Sequence, residues 1–488
     1  MYLVAAFFIW FLSFGFYCVT LAPAVIWGDP AKLVNFAYLC LLRIDIGNHA
    51  LHNLIGNLWG RLLFADYAFG QNLLSAVFAS LTVFMVFLIV YRLTKSIFSS
   101  IVSSLSLAVA HTFWWLAVVN ESYALVFFFL VLALLGEIVW FQTKKQGWLY
   151  LAAFSIGMGI SDHFMLAVLI PAFIIAALID DPWLILDYKK ILFSLSSFIL
   201  GAGLLLYLYI SNYSQYSSIT WAYFVDTTYL ESMGKIVREL IRYPLYVFYQ
   251  FPLIGFVLGI IGLWQSFKNK AGISYLLFLA FLVDYLFSAV YMWERQPEMM
   301  VFGYIIIAIW IGLGINYLAK KNPPLVSRSG PILLLGIIFV PIMLYSCAPY
   351  FAQKAGGNVL HIRSLPYRNN DEYFLNPNKR GYFGARRYAE EVYRIVEPDS
   401  MIIADFTPYA VLQYLQLVEK KRQDVELVYT WPGARNPIGK GIVEQNIRKR
   451  PIYLVDIDDY PDLYKTPVLS KKYSFVKTGP IYRLVKKK

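Results

Sequence analysis

Asp29 stands in the run Trp27-Gly28-Asp29-Pro30, and His49 and His52 follow it three residues apart. Three more ionisable steps occur far along the chain, Asn120-Glu121, Asp162-His163 and Glu294-Arg295. Carboxylates and imidazoles take up and release protons, and a guanidinium grips a phosphate through paired hydrogen bonds. The set therefore holds the groups for proton transfer and for seating an anion. His49 and His52 at i, i+3 also suit a metal, but no third convincing ligand lies nearby, so hydrogen bonding or positioning is the better reading and no metal is expected. Each of the others has a plainer reading. Asp29 before Pro30 suits a turn or helix cap, and Glu121 at a helix start complements the helix dipole. Asp162-His163 suits the cap of a short helix, and Glu294 beside Arg295 suits an interfacial ion pair worth little. Asp284, inside an apolar run, reads as a helix–helix contact.

The elements that must carry these groups follow from composition. Of 488 residues, 59% are hydrophobic, 18% aromatic and 15% charged, with mean hydropathy +0.58. Soluble domains carry about 25% charged residues, so a cytosolic enzyme is excluded, and a disordered chain would lack the apolar residues. The net charge of +12 would suggest nucleic acid in a soluble protein, but its distribution removes that reading. Residues 1–350 hold 18 basic and 15 acidic residues, whereas residues 351–488 hold 24 and 15. The two parts belong to different solvents. A membrane helix needs about 20 mostly apolar residues. About eleven candidates fall near 2–22, 72–92, 97–115, 121–141, 148–161, 163–179, 191–211, 244–266, 271–290, 298–319 and 331–349. The first has no basic leader and no small-residue cleavage site after it, so it is expected to be retained.

Basic residues set the orientation. Arg92 and Lys95, Lys144 and Lys145, Lys189 and Lys190, Lys268 and Lys270, and Lys320 and Lys321 fall at alternate loops, which are expected to be cytoplasmic together with the N-terminus. The first loop, 23–71, and residues 351–488 are then extracytoplasmic, and so is every ionisable step named above. Such groups at a membrane boundary are costly and often functional, and their convergence on one face marks a candidate site. Ala31 to Leu42 and Leu51 to Phe64 interleave apolar residues with Lys32, Asn35, Tyr38, Asn53, Asn57 and Arg61, as interfacial helices lying on a bilayer would. A loop of that kind beside an exposed aspartate suits chemistry on a lipid head group.

The tail, 351–488, reads as a small α/β domain. Helical spacing runs from Tyr382 to Val396 with Pro398-Asp399 beyond it, and further helices fall near 407–418 and 440–449. Short buried strands are expected at 401–404, 425–429 and 452–455. The tail has no phosphate-binding glycine loop, and Lys486-Lys487-Lys488 reads as a solvated end. Cys18, Cys40 and Cys347 form no CxxC pair or disulfide framework.

These residues, taken in order, resemble the DUF2723 family of integral-membrane glycosyltransferases, relatives of the protein O-mannosyltransferases within the GT-C superfamily. The likeness rests on Thr20-Leu21-Ala22-Pro23 with Trp27-Gly28-Asp29, on Gly47-Asn48-His49-Ala50-Leu51-His52, and on Asn72-Leu73-Leu74-Ser75-Ala76. It continues through His111-Thr112-Phe113-Trp114-Trp115, Asn120-Glu121-Ser122-Tyr123, the stretch Gly157 to His163, Glu294-Arg295, and the tail from Ala404 to Gln416. This chain has Lys32 where many members place an acidic residue, and His49-Ala50-Leu51-His52 where many have a His-Pro-Pro segment.

The resemblance implies a polytopic α-helical membrane protein of GT-C type with about eleven spans (1–350) and an extracytoplasmic α/β domain (351–488). It implies inverting transfer of a sugar from a polyprenyl- or dolichyl-phosphate donor to a protein, lipid or glycan hydroxyl, with no further cofactor demanded. It places the catalytic base at Asp29. Phosphate binding falls to Arg295, with Lys32 and His163 beside it. His49, His52, Glu121, Asp162 and Glu294 are expected to orient substrate hydroxyls, and Trp114, with Trp27, Trp115 and Trp221, to stack on a sugar or to form an aromatic belt. A transporter or flippase is the rival reading, but such proteins carry inverted repeats and midplane charges, whereas this sequence has no repeat and its charges gather at one surface. A non-catalytic scaffold is the third.

Overall fold

The computed structural model describes residues 1–43, 49–62, 66–212, 233–268, 271–291, 297–430, 438 and 441–487. Gly47-Asn48, Trp221 and the Glu294-Arg295 step lie outside the described residues. Among the described residues, six helices are long and apolar enough to cross a membrane: Tyr2–Thr20, Tyr67–Thr94, Tyr123–Thr143, Ala271–Val290, Glu298–Lys321 and Val326–Lys354. Three bent pairs raise the number to nine if each is one span. Three of the apolar runs expected as spans are bent rather than straight. The apolar run at 97–115 is Ile97–Ala108 followed by His111–Ala117 at 71°, and that at 191–211 is Tyr188–Gly201 with Gly203–Ser211 at 67°. The run at 244–266 breaks by 116° between Ile236–Gln250 and Ile254–Ser266. Pro252 lies in that break and lacks an N–H for the ladder, and Leu253 turns left-handed there, at φ 52°. Residues 146–180 form a helix of 17 residues, Gln146–Asp162, and a 3₁₀ turn, Phe164–Leu169, running into Ile170–Asp180.

Small residues let the bundle close. A Cβ on Gly157 would lie 2.3 Å from the Phe198 carbonyl, and one on Gly201 would lie 2.2 Å from that of Phe154. Helices Gln146–Asp162 and Tyr188–Gly201 therefore pack backbone to backbone, as membrane helices do at small-residue faces.

The first loop supplies Asp29–Tyr38 and Ala50–Gly60. Their buried faces meet protein rather than lipid. Asn57 donates to the Ala37 carbonyl at 2.9 Å, Gln71 donates to that of Gly56 at 2.8 Å, and Asn35 reaches across to the Ala410 carbonyl at 2.9 Å. Leu39, Leu58 and Leu62 stay exposed. The loop is a layer between the bundle and the C-terminal domain.

That domain grows from alternating patterns. Helix Gly384–Ile395 buries Ala385, Tyr388, Ala389, Val392 and Tyr393, the i, i+3, i+4, i+7, i+8 set of one face. Strands β1 (Met401–Ala404), β2 (Glu426–Tyr429), β3 (Ile452–Leu454), β4 (Tyr473–Thr478) and β5 (Ile481–Lys486) form one sheet in the order β2-β1-β3-β5-β4. β2 and β3 flank β1 in parallel, and β5 adds antiparallel to β3. The β4–β5 hairpin is an addition to the three expected strands, and it leads into the end read as solvated: Lys486 closes β5, Lys487 follows it with its amide donating to the Lys472 carbonyl at 3.0 Å, and both side chains are exposed. Arg386 pins the domain to the bundle through Asp66 at 3.2 Å, and Glu419 within the domain holds Arg386 at 2.8 Å. The Lys379 amide donates to the Thr20 carbonyl at 2.9 Å.

Candidate functional site

A buried asparagine brings the loops together. Asn72, on helix Tyr67–Thr94, donates to the carbonyls of Ala22 and Ala24 at 2.9 and 3.2 Å, and its Oδ1 accepts from the Asn120 amide at 2.8 Å. One turn on, the Ser75 hydroxyl receives the Glu121 amide at 3.2 Å. Asn120 Nδ2 returns to the Pro30 carbonyl at 3.4 Å. The segments around Asp29 and Glu121 are thereby held against one helix.

Asp29 opens the helix Asp29–Tyr38 and is presented by Gly28 at φ 76°, ψ −134°. That region is open to glycine and strained for side chains with a Cβ. The Asp29 side chain is 59% exposed, with Lys32 Nζ 3.7 Å from its Oδ1. Such a contact at the surface is weak, so it leaves the carboxylate free to meet a substrate. Lys32 lies 5.4 Å from the Phe36 ring and 5.6 Å from the Phe406 ring of the C-terminal domain, and Arg43 lies 5.5 Å from the Phe36 ring as well. Two cations thus share one aromatic ring beside Asp29.

Glu121 is buried. Its carboxyl is held well above the usual carboxylate range, first by burial and then by the charges of Asp29 and Glu298, with Lys32 opposing them. Glu298 was not among the expected residues. It lies in the one-turn 3₁₀ helix Pro297–Met300 at the head of Val301–Lys321. Its only signal in the sequence was an acid opening an apolar run, three residues past Arg295.

The histidines and Asp162 lace the first loop to helix Gln146–Asp162. Asp162 Oδ1 accepts the His52 amide at 2.9 Å, and the Asp162 carbonyl meets His49 Nδ1 at 3.0 Å. Asp162 Oδ2 is buried with no hydrogen-bond partner among the described residues. His163 packs its ring 4.9 Å from that of His49 and 5.1 Å from that of Tyr123. Its Nδ1 accepts the Met165 amide at 3.1 Å, which leaves the proton on Nε2. Burial lowers His163 and His52 to about 4, so both rings are neutral at physiological pH. Any contact of His163 with a phosphate is then a neutral hydrogen bond.

Trp114 corrects an expectation. It is 3% exposed, its ring lies 4.6 Å from that of Phe16, and its Nε1 donates to Thr20 Oγ1 at 2.9 Å. No face is open for a sugar. Trp27 is likewise buried, bonded through Nε1 to the Tyr382 hydroxyl at 2.7 Å. Trp115 meets Tyr373 edge-on at 6.3 Å. Tyr373, which no sequence pattern marked, ties Trp115 to Tyr382 and stands in the field of Glu121.

Comparison with known proteins adds to this geometry. Residues 48–186 match a family model described as the N-terminal domain of the protein O-mannosyl-transferase TMEM260. That stretch holds His49, His52, Glu121, Asp162 and His163 and leaves out Asp29. No curated protein matches the sequence significantly. Among solved structures, ArnT from Cupriavidus metallidurans in the apo state is similar with TM-score 0.61 and 13% identity over 99% of this chain and 96% of that one. ArnT bound to undecaprenyl phosphate gives TM-score 0.60 and 11% identity over 99% and 97%. The archaeal oligosaccharyltransferase AglB from Archaeoglobus fulgidus, in complex with an inhibitory peptide and a dolichol-phosphate, gives TM-score 0.52 and 10% identity over 99% and 74%.

Proposed function

We propose that this chain, which has the fold of the GT-C membrane glycosyltransferases, transfers a sugar from a polyprenyl-phosphate carrier to an acceptor hydroxyl at the extracytoplasmic face, with inversion. The alternation of basic loops supports that orientation, with the N-terminus cytoplasmic and residues 351–488 outside. The carriers bound by ArnT and AglB, undecaprenyl phosphate and dolichol-phosphate, support a lipid-linked donor.

The observation that carries the reading is the exposed Asp29 carboxylate, set beside Lys32 and facing the charges of Glu121 and Glu298. Asp29 removes the acceptor proton as the oxygen attacks the anomeric carbon. The bond from that carbon to the phosphate oxygen breaks, and the electron pair leaves with the phosphate. The leaving group gains negative charge, which needs a cation or strong donor. Lys32 fills that place with Arg295, and His163 adds a donor through Nε2. Glu121 orients a substrate hydroxyl. His49, His52 and Asp162 shape the donor pocket by holding the loops in register, and Glu294 binds substrate beside Arg295.

The test uses the purified chain in lipid nanodiscs with undecaprenyl- and dolichyl-phosphate-linked monosaccharides and a cell-envelope extract as the source of acceptor hydroxyls, reading release of polyprenyl phosphate. The wild type releases it from at least one donor, and Asp29→Asn and Arg295→Ala do not. Full release by both variants, or none by the wild type, overturns the reading.

A further inference from the structure

The C-terminal sheet contains a crevice apart from the Asp29 site. Strand β1 runs through helix Phe406–Leu417 to β2 on one side, whereas the chain leaving β2 returns through Ile442–Asn446 to β3 on the other. Parallel sheets bind ligands outside the carboxyl ends of their strands at such a reversal. Asp405 follows β1 and Asp456 follows β3, and a cavity of about 470 Å³ lies there, lined by Arg363, Tyr388, Asp456, Asp458, Asp459 and Tyr482 among others.

One wall of this cavity is incomplete. Tyr388 is 1% exposed, yet its hydroxyl has no hydrogen-bond partner among the described residues. Leaving a buried hydroxyl unpaired is costly, and a ligand hydroxyl in the cavity would complete it. The same tyrosine packs its ring 5.0 Å from that of Trp27, two residues before Asp29.

The chemistry of the lining selects the ligand. The charge of Arg363 is already balanced, with Nη1 2.8 Å from Asp405 Oδ1, Nη2 2.7 Å from Asp456 Oδ2 and its guanidinium 4.4 Å from the Tyr460 ring centroid, while its buried Nε has no hydrogen-bond partner among the described residues and can donate to a ligand oxygen. The amides that would cradle a phosphate are also taken. Asp456 Oδ1 accepts those of Asp458 and Asp459 at 2.9 and 3.2 Å, and Asp405 caps helix Phe406–Leu417 through the Thr407 amide at 3.3 Å. With Asp458 and Asp459 facing only Lys477 as an uncommitted cation of the lining, an anionic ligand is repelled. Carboxylates that accept hydroxyl protons, beside the half-buried ring of Tyr482, suit a neutral polyol with a flat face.

We propose that this crevice is a second carbohydrate site, which binds a neutral saccharide independently of the transfer reaction. The test is equilibrium binding to the full chain in nanodiscs free of glycoside detergent, by saturation-transfer NMR and calorimetry. The probes are mannotriose, maltotriose and chitotriose, with UDP and GDP as anionic rivals. At least one trisaccharide binds saturably, and neither nucleotide displaces it. Tyr482→Ala and Asp459→Asn weaken binding by about tenfold, the scale of one lost contact to a sugar. Tyr388→Phe weakens it by about fivefold while the melting temperature of the unliganded protein holds, because that hydroxyl has no partner to lose. Failure of all three trisaccharides to bind, displacement by a nucleotide, or equal binding by Tyr388→Phe and the wild type overturns the proposal.

Discussion

The Asn120 amide donates to Oδ1 of Asn72 at 2.8 Å, and the amide group of Asn72 holds the carbonyls of Ala22 and Ala24 in turn. One buried side chain thus fixes the approach to Asp29 and the approach to Glu121 at once. Asn72→Ala leaves three backbone groups unpaired in a dry place. At about 1 kcal/mol or more for each, stability falls by about 3 kcal/mol, and transfer falls further than stability explains. Thermal unfolding and turnover on the same preparation separate the two. An unchanged kcat/KM in the folded fraction would dismiss the positioning role.

Asp29 makes few contacts of its own, since its side chain is 59% exposed and Lys32 is its salt-bridge partner at 3.7 Å. Asp29→Asn therefore keeps the melting temperature within about 1 °C, because surface substitutions of this kind change stability little. The same change lowers transfer by about a thousandfold, within the range for loss of a general base. Lys32→Ala lowers transfer by a smaller factor, expressed in donor KM, if its charge meets the carrier phosphate. Donor titration against polyprenyl-phosphate sugar distinguishes these effects.

Much of this arrangement was legible in the sequence. Paired lysines between apolar runs gave the orientation argument, and the strands at Met401–Ala404 and Ile452–Leu454 showed as short apolar runs. Partners distant in sequence were not legible. Asn72 matters through backbone groups about 50 residues away on either side, and its neighbourhood gives no sign of that. Glu298 hides because an acid at the head of an apolar run reads as a helix start. Trp114 misled for the opposite reason: an aromatic beside the candidate loops looked like a sugar platform, yet Thr20 and Phe16 bury it. The amphipathic first loop was seen, but periodicity reports an apolar face without naming what covers it, and here a folded domain does so.

Glu121 yields a pH prediction. Its carboxyl is raised first by burial, and then by Asp29 and Glu298. Its neutral form is therefore favoured to higher pH than that of an ordinary glutamate. Ionisation adds a negative charge beside the base and the carrier phosphate, so transfer falls as pH rises. Glu121→Gln keeps the neutral form at every pH. It retains transfer to within about tenfold at the pH where the wild type is most active, as a substitution preserving one donor should, and it loses that fall. Rates of kcat/KM from pH 6 to 10 test this, and parallel profiles for the two proteins would exclude Glu121 as the titrating group.

Lys379 gives the sharpest linkage. It is 1% exposed, Nζ donates to the Tyr373 carbonyl at 2.7 Å and to that of Asn376, and the Trp115 and Tyr373 rings lie 5.9 and 5.2 Å from it. Burial lowers it from 10.5 to about 7. Between those values the unfolded chain holds a proton that the folded chain has released. Stability therefore rises with pH from about 7 to 10.5, and the contribution is lost as pH falls through 7. At about 1.4 kcal/mol per unit, the rise amounts to a few kcal/mol. A neutral amine still has two protons for the two carbonyls, so the geometry survives the titration. Lys379→Met removes the titrating group but strands both carbonyls, which lowers stability at pH 10 and flattens the profile between pH 7 and 10. Melting temperatures of both proteins across that window decide it: equal slopes would place the titrating group elsewhere.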